Sequence, residues 1–139
     1  MKQKLTEESR LALVKYRLQR AKETLIEAET MLEKGFYNAA VNRYYYACYY
    51  AVIALLLKND IMPQTHQGVK QMFALHFIRT GKIDNKYSQF YSQLFNDRIS
   101  GDYDDFLLYD YNKVSSLRHK SEDFISTIER ELENIVKFT

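Results

Sequence analysis

The chain has 139 residues, of which 46% are hydrophobic and 27% charged, with a net charge of +2. A chain of this length buries roughly two-thirds of its unfolded surface, so it needs neither metal nor disulfide to hold a core. The near-neutral balance excludes a protein that wraps duplex DNA by bulk electrostatics, but leaves room for a local basic site.

Only four glycines and one proline interrupt the chain, which favours long helices over many short strands. Thr6 is placed to cap a first helix whose opening turn carries Glu7 and Glu8. Leu11, Val14, Leu18, Ala21, Leu25, Ala28 and Leu32 then recur at spacings of three and four, forming one apolar stripe that ends before Gly35. A second helix is predicted from about Asn38 to Lys58. It is apolar on nearly every face, with Val41, Tyr45, Cys48, Val52 and Leu55 in one row and Ala40, Ala47, Ala51 and Ala54 in another. A helix of that kind belongs in the middle of a bundle. The stretch from Ala39 to Leu57 approaches the length of a membrane span, but Asn42, Arg43 and the tyrosines near its start would be costly in hydrocarbon. It is therefore expected to be buried in protein.

Pro63 breaks the chain, and Thr65 is a candidate cap for a third helix reaching about Arg79, closed by Gly81. A fourth helix is predicted from near Asp84 to about Ser100-Gly101. The acidic and aromatic stretch from Gly101 to Tyr109 has no clear period and reads as an ordered loop. Asp110 then caps a last helix in which Val114, Leu117, Ser121, Phe124, Ile128, Leu132 and Ile135 repeat the spacing of the first. The expected architecture is all-α, an antiparallel up-and-down bundle of about five helices in one domain over residues 1–139. The charged start, Met1 to Lys4, has no apolar leader core, so a cytoplasmic setting is expected.

Most familiar chemistries find no support. His66, His76 and His119 form no close pair and Cys48 is the one cysteine, so no metal site of recognised spacing is expected, nor any cofactor. Cys48 falls inside the apolar helix and reads as a core residue. Neither a nucleophile elbow nor a phosphate-cradling glycine loop is present.

Two clusters carry more information. Tyr44, Tyr45, Tyr46, Tyr49 and Tyr50 place five phenols within seven positions. Packing is the ordinary role of a helical aromatic row, with hydroxyls reaching the rim. A stacking surface for nucleotide bases is the alternative, kept open by Asn42 and Arg43 beside it. The run from Asn96 to Asp105 sets Arg98 at a helix end before a glycine turn, which suits a phosphate contact. An ion pair from Arg98 to Asp102, Asp104 or Asp105 is the equal alternative.

The ordered set Gly35 to Ala40, Arg43 to Ala47, His66-Gln67-Gly68-Val69 and Arg98-x-x-Gly101-Asp102-Tyr103 resembles the HEPN domains, in particular the small stand-alone HEPN proteins of bacteria and archaea, over about residues 8 to 135. The resemblance implies a helical bundle, commonly a homodimer, associated with RNA or nucleotides. Many members are partner or toxin to a minimal nucleotidyltransferase in a toxin–antitoxin arrangement. Catalytic members are metal-independent endoribonucleases with an arginine followed four to six positions later by a histidine, both subunits lining one cleft. Arg98 matches that arginine, but positions 103 to 105 are Tyr, Asp and Asp. Neither residue type is matched to proton transfer near neutral pH as imidazole is.

The resemblance thus favours a nucleotide- or RNA-binding module, with Arg43, Tyr46, His66 and Arg98 as binding residues. Endoribonuclease action through Arg98, with Asp102 and Tyr103 in the same cleft, is the first alternative, and approach of His66 or His119 in the fold would bear on it. A purely structural dimerisation protein is the second. A helix-turn-helix DNA binder is remote, because no basic recognition helix follows the third and fourth helices.

Overall fold

The computed structural model describes residues 5–103 and 109–137, with side chains described for 5–99 and 109–133. It is all helical among those residues: α1 (Glu7–Glu33), α2 (Tyr37–Lys58), α3 (His66–Phe73) extended by a π-helical turn (Ala74–Ile78), α4 (Asn85–Tyr103) and α5 (Tyr111–Lys137). No described helix is long and apolar enough to cross a membrane.

The starts of α1, α3 and α5 each carry a side-chain cap. The Thr6 hydroxyl accepts from the Ser9 amide at 3.0 Å, and Thr65 accepts from Gly68 at 2.9 Å. The Asp110 carboxylate accepts from the Lys113 amide at 2.7 Å. Each such cap satisfies an amide that the helix ladder leaves unpaired, typically worth ~1 kcal/mol. At the end of α1, Gly35 takes φ 81° and the Phe36 amide donates to the Met31 carbonyl at 2.9 Å. That left-handed stop returns the chain in a three-residue turn, so α2 runs back along α1.

Helix α2 is the centre. It packs most extensively on α1, then on α5, α4 and α3. Ala40, Ala47, Ala51 and Ala54 are fully buried, which lets neighbouring helices come close, while Val41, Tyr45, Cys48, Val52 and Leu55 fill the same core. Burial of each large aliphatic side chain contributes about 1.5–3 kcal/mol. Val14, Ala21, Ala28 and Leu32 of α1 and Val114, Leu117, Phe124, Ile128 and Leu132 of α5 complete it.

Two boundaries differ from those expected. The third helix does not continue as α-helix to Arg79: the Arg79 amide donates to Ala74, five residues back, at 2.9 Å. Phe73 and Phe77, four positions apart across this turn, are both in the core, their rings 6.4 Å apart. Sequence periodicity cannot register a one-residue shift of that kind. The fourth helix also does not stop at Ser100-Gly101 but runs through Gly101 to Tyr103. A glycine in a helix interior costs about 1 kcal/mol, too little to end a helix anchored by the buried Tyr91, Leu94 and Phe95. The expected glycine turn after Arg98 is therefore helix, and positions 104–108 of the expected loop lie outside the described residues.

Candidate functional site

Arg98 follows Leu94 by one helical turn on α4, with Tyr91 a further turn before. Those buried neighbours hold it against α2 rather than in solvent. Its guanidinium carbon stands 4.8 Å from the centre of the Tyr45 ring, and 6.0 Å from those of Tyr46 and Phe95. A guanidinium over tyrosine faces is held by the ring quadrupole. Its Nε is buried with no hydrogen-bond partner among the described residues. No described carboxylate pairs with it either, whereas Arg10, Arg20, Arg43 and Arg118 each have an acidic partner among the described residues; Arg17, Arg79 and Arg130 share its lack of one. The side chains of Asp102 and Tyr103, one turn further on, lie outside the described residues, as do Asp104 and Asp105 altogether.

His66 arrives at the same place from α3. Gly68 makes its position possible: a β-carbon there would meet Thr65 Oγ1 at 3.0 Å and Pro63 Cβ at 3.2 Å. The loop can thus fold tightly over the first turn and set His66 beside α2. There Nδ1 lies 2.8 Å from the Tyr45 hydroxyl. The imidazole stacks on Tyr49 at 4.4 Å and meets Tyr46 edge-on at 5.8 Å. His66 and Arg98 therefore share the rings of Tyr45 and Tyr46.

The electrostatics follow from this packing. Burial, and then the Arg98 charge, hold the His66 imidazole below its ordinary value, so it is neutral at pH 7. Burial pushes the Tyr45 phenol up to about 12 against the opposing pull of Arg98, so it stays protonated. With Nδ1 engaged by that phenol, Nε2 is the imidazole atom left to face a ligand. Arg43 joins from α2. Its guanidinium carbon is 5.1 Å from the Tyr46 ring centre, while it pairs with Glu27 at 3.6 Å and donates to Asn42 at 2.9 Å.

Arg43, Tyr46, His66 and Arg98, singled out in the sequence, thus meet in one cluster of rings, which Tyr45, Tyr49 and Phe95 complete. No local signal marks their part, because Tyr45 and His66 are 21 positions apart and Arg98 lies on another helix. His119 does not join: it is exposed on α5, 3.7 Å from Glu122. Cys48 is fully buried and its thiol is pushed up to about 12, which leaves it no nucleophilic role. No group of metal-ligating side chains occurs among the described residues. An unpaired guanidinium on an aromatic floor, beside a neutral imidazole, is suited to hold an anionic group with planar substituents.

A five-helix bundle in which arginine and histidine side chains meet a cluster of tyrosines at its second, third and fourth helices is the class that this architecture defines. The chain belongs to the HEPN domain family, whose model matches residues 14–133. It is 34% identical over 123 residues to a UPF0332 protein of Thermotoga maritima, covering 88% of this chain and 93% of that one. It is also 34% identical over 138 residues to a protein of Methanocaldococcus jannaschii named "Putative toxin", covering 92% and 94%. A second protein of that organism with the same style of name is 32% identical over 116 residues, 84% and 86% of the two chains.

Proposed function

We propose that this chain is a ribonucleotide-binding module of the toxin type, a single domain acting as a cytoplasmic homodimer alongside a minimal nucleotidyltransferase. The observation that carries the reading is Arg98. Its guanidinium is held over Tyr45 without an acidic partner among the described residues, and its Nε is buried and unbonded. A guanidinium held without an acid can give charge-assisted hydrogen bonds to a phosphate through its terminal N–H groups. Membership of the HEPN family and the names of the Methanocaldococcus relatives support a toxin-type component with a partner. In this reading Arg98 grips phosphate, His66 donates or accepts at Nε2, and Tyr46 and Arg43 border the nucleotide. The reading also assigns Asp102 and Tyr103, one turn beyond Arg98 in the sequence, to the same nucleotide. The test is fluorescence anisotropy with labelled RNA, with ATP as competitor, on the purified dimer and on Arg98→Ala. The wild type is expected to bind and the variant to lose about 10- to 100-fold, as for a charge-assisted hydrogen bond. Absence of affinity for RNA, for nucleotides and for a cognate transferase would sink the reading.

A second reading, metal-independent cleavage, is favoured by the place of His66. The family's histidine is missing after Arg98, yet an imidazole reaches the same two rings from α3. In that reaction neutral His66 takes the proton of a ribose 2′-hydroxyl. The 2′-oxygen attacks the adjacent phosphorus while Arg98 stabilises the added negative charge. The bond to the 5′-oxygen breaks, that oxygen takes a proton from water, and a 2′,3′-cyclic phosphate remains. Incubation with RNA and EDTA separates the readings. Cleavage by wild type that is lost in both Arg98→Ala and His66→Gln supports an endoribonuclease. Intact RNA alongside measured binding leaves the binding module.

A further inference from the structure

The tyrosines of α2 do not end at the Arg98 cluster. Tyr46 is 6.0 Å from Tyr50 and 5.9 Å from Tyr49, ring centre to ring centre, and Tyr49 and Tyr50 are 5.9 Å apart. All three are half-buried, unlike Tyr44 and Tyr45, which are fully enclosed. Across the helix pair, α1 supplies arginines to the same face. Arg20 has its guanidinium carbon 5.7 Å from the Tyr50 ring centre, while that of Arg17, three positions earlier, lies 5.8 Å from the Tyr16 ring centre with its charge within reach of the Tyr49 phenol. The result is a continuous band from Arg98 and His66, over Tyr46, Tyr49 and Tyr50, edged by Arg43, Arg20 and Arg17.

Four arginines on one band are disproportionate in a chain whose net charge is only +2. Of their described acidic partners, Glu23 pairs with Arg20 and Glu27 with both Arg20 and Arg43, and the two side chains are 46% and 42% exposed. Exposed ion pairs of this kind exchange readily for another anion. Half-buried phenols cannot reach the stacked bases of a duplex, but they can meet the unstacked bases of a single strand, as can guanidinium planes lying on them.

We infer that this α1–α2 band is a track for single-stranded RNA, carrying the strand away from the Arg98 cluster with Arg43, Arg20 and Arg17 on its phosphates and Tyr46, Tyr49 and Tyr50 against its bases. The inference rests on the ribonucleotide-binding reading and extends it to a sequence-tolerant single-stranded substrate. It also accounts for an α2 that is aromatic beyond what core filling requires.

The experiment compares a fluorescein-labelled 12-nucleotide oligouridylate with a 12-base-pair RNA duplex across a salt series, for wild type, Arg98→Ala, Arg20→Gln and Tyr50→Leu, each verified as folded by circular dichroism. Tyr50→Leu keeps apolar bulk and removes only the ring. Wild type is expected to prefer the single strand by at least tenfold. Arg20→Gln should flatten the slope of log affinity against log salt by about 0.7, the contribution of one single-strand phosphate. Tyr50→Leu should weaken binding at least fivefold with the slope unchanged. Duplex binding equal to single-strand binding overturns the track. So does an unchanged Arg20→Gln and Tyr50→Leu beside a weakened Arg98→Ala, which leaves the Arg98 reading standing. Failure of wild type to bind either RNA removes the reading on which the track depends.

Discussion

Two aromatic clusters lie back to back in this bundle, and their fates differ. One joins Phe73, Phe77, Tyr91 and Phe124, all nearly fully buried, with Tyr91 and Phe124 stacked at 5.7 Å and Phe73 set against both. Its partners are rings and aliphatic side chains, with the Lys82 amine 5.6 Å from the Phe77 ring centre at its edge. The other joins Tyr45, Tyr46, Tyr49 and His66, and it has Arg98 and Arg43 upon it. Tyr45 is the wall between them, stacked on Tyr91 at 5.8 Å and bonded through its hydroxyl to His66. The comparison teaches that ring count alone says nothing about role. What separates packing from recognition is whether a cation and a polar hydrogen bond close the cluster, and whether its outer edge meets solvent.

The sharpest way to break that distinction is to truncate one ring on each side. Phe124→Ala removes a fully enclosed ring touching Phe73, Tyr87, Phe90 and Tyr91, and should cost about 3–5 kcal/mol in urea denaturation. Tyr49→Ala, half-buried and stacked on His66, should cost distinctly less, and equal losses would make both clusters core. Arg98→Ala should reverse the ranking in an RNA-binding titration, weakening it about 10- to 100-fold. Denaturation of the same variant should lose only about 1–2 kcal/mol, from the cation–π contact with Tyr45, because no described ion pair is broken.

Smaller effects refine the wall. Tyr45→Phe keeps the ring and removes the bond to His66 Nδ1, so a stability loss of about 1 kcal/mol is expected from the same denaturation series. A loss near zero would mean that the imidazole is positioned by stacking on Tyr49 alone. The last test is a titration. His66 is held below its ordinary value by burial first and by Arg98 second, so the folded chain binds that proton less readily than the unfolded one. Its contribution to stability is therefore fully present above about pH 6.5 and is lost as pH falls below that toward the folded value. Carbon-detected imidazole shifts followed by NMR should give a His66 midpoint below the ordinary value, and Arg98→Ala should raise it. An unmoved midpoint would separate the two residues that the candidate site brings together.

Much of the scaffold was legible before any coordinates. The stripes of α1 and α5, the caps Thr6, Thr65 and Asp110, and the left-handed stop at Gly35 are local, each depending on residues within four or five positions. The π-helical turn at Ala74–Ile78 and the run of α4 through Gly101 were not, since both depend on which rings the rest of the bundle demands. The candidate site divides in the same way. Arg98 and Arg43 stood out from their immediate surroundings. The five tyrosines could not be sorted, because a helix apolar on every face has no period to tell inside from outside.

By itself, then, the sequence determined an all-helical chain, its central helix and the residue types that could hold a phosphate. Hydrogen-bonded helices are built from near neighbours, and their apolar periods are written along the chain. Only the tertiary structure decided that Tyr44 and Tyr45 are enclosed while Tyr46, Tyr49 and Tyr50 keep a solvent edge. It alone brought His66 from the start of α3 to the rings that carry Arg98 of α4. Those encounters depend on how the helices cross, and crossing is fixed by the summed packing of side chains far apart in sequence.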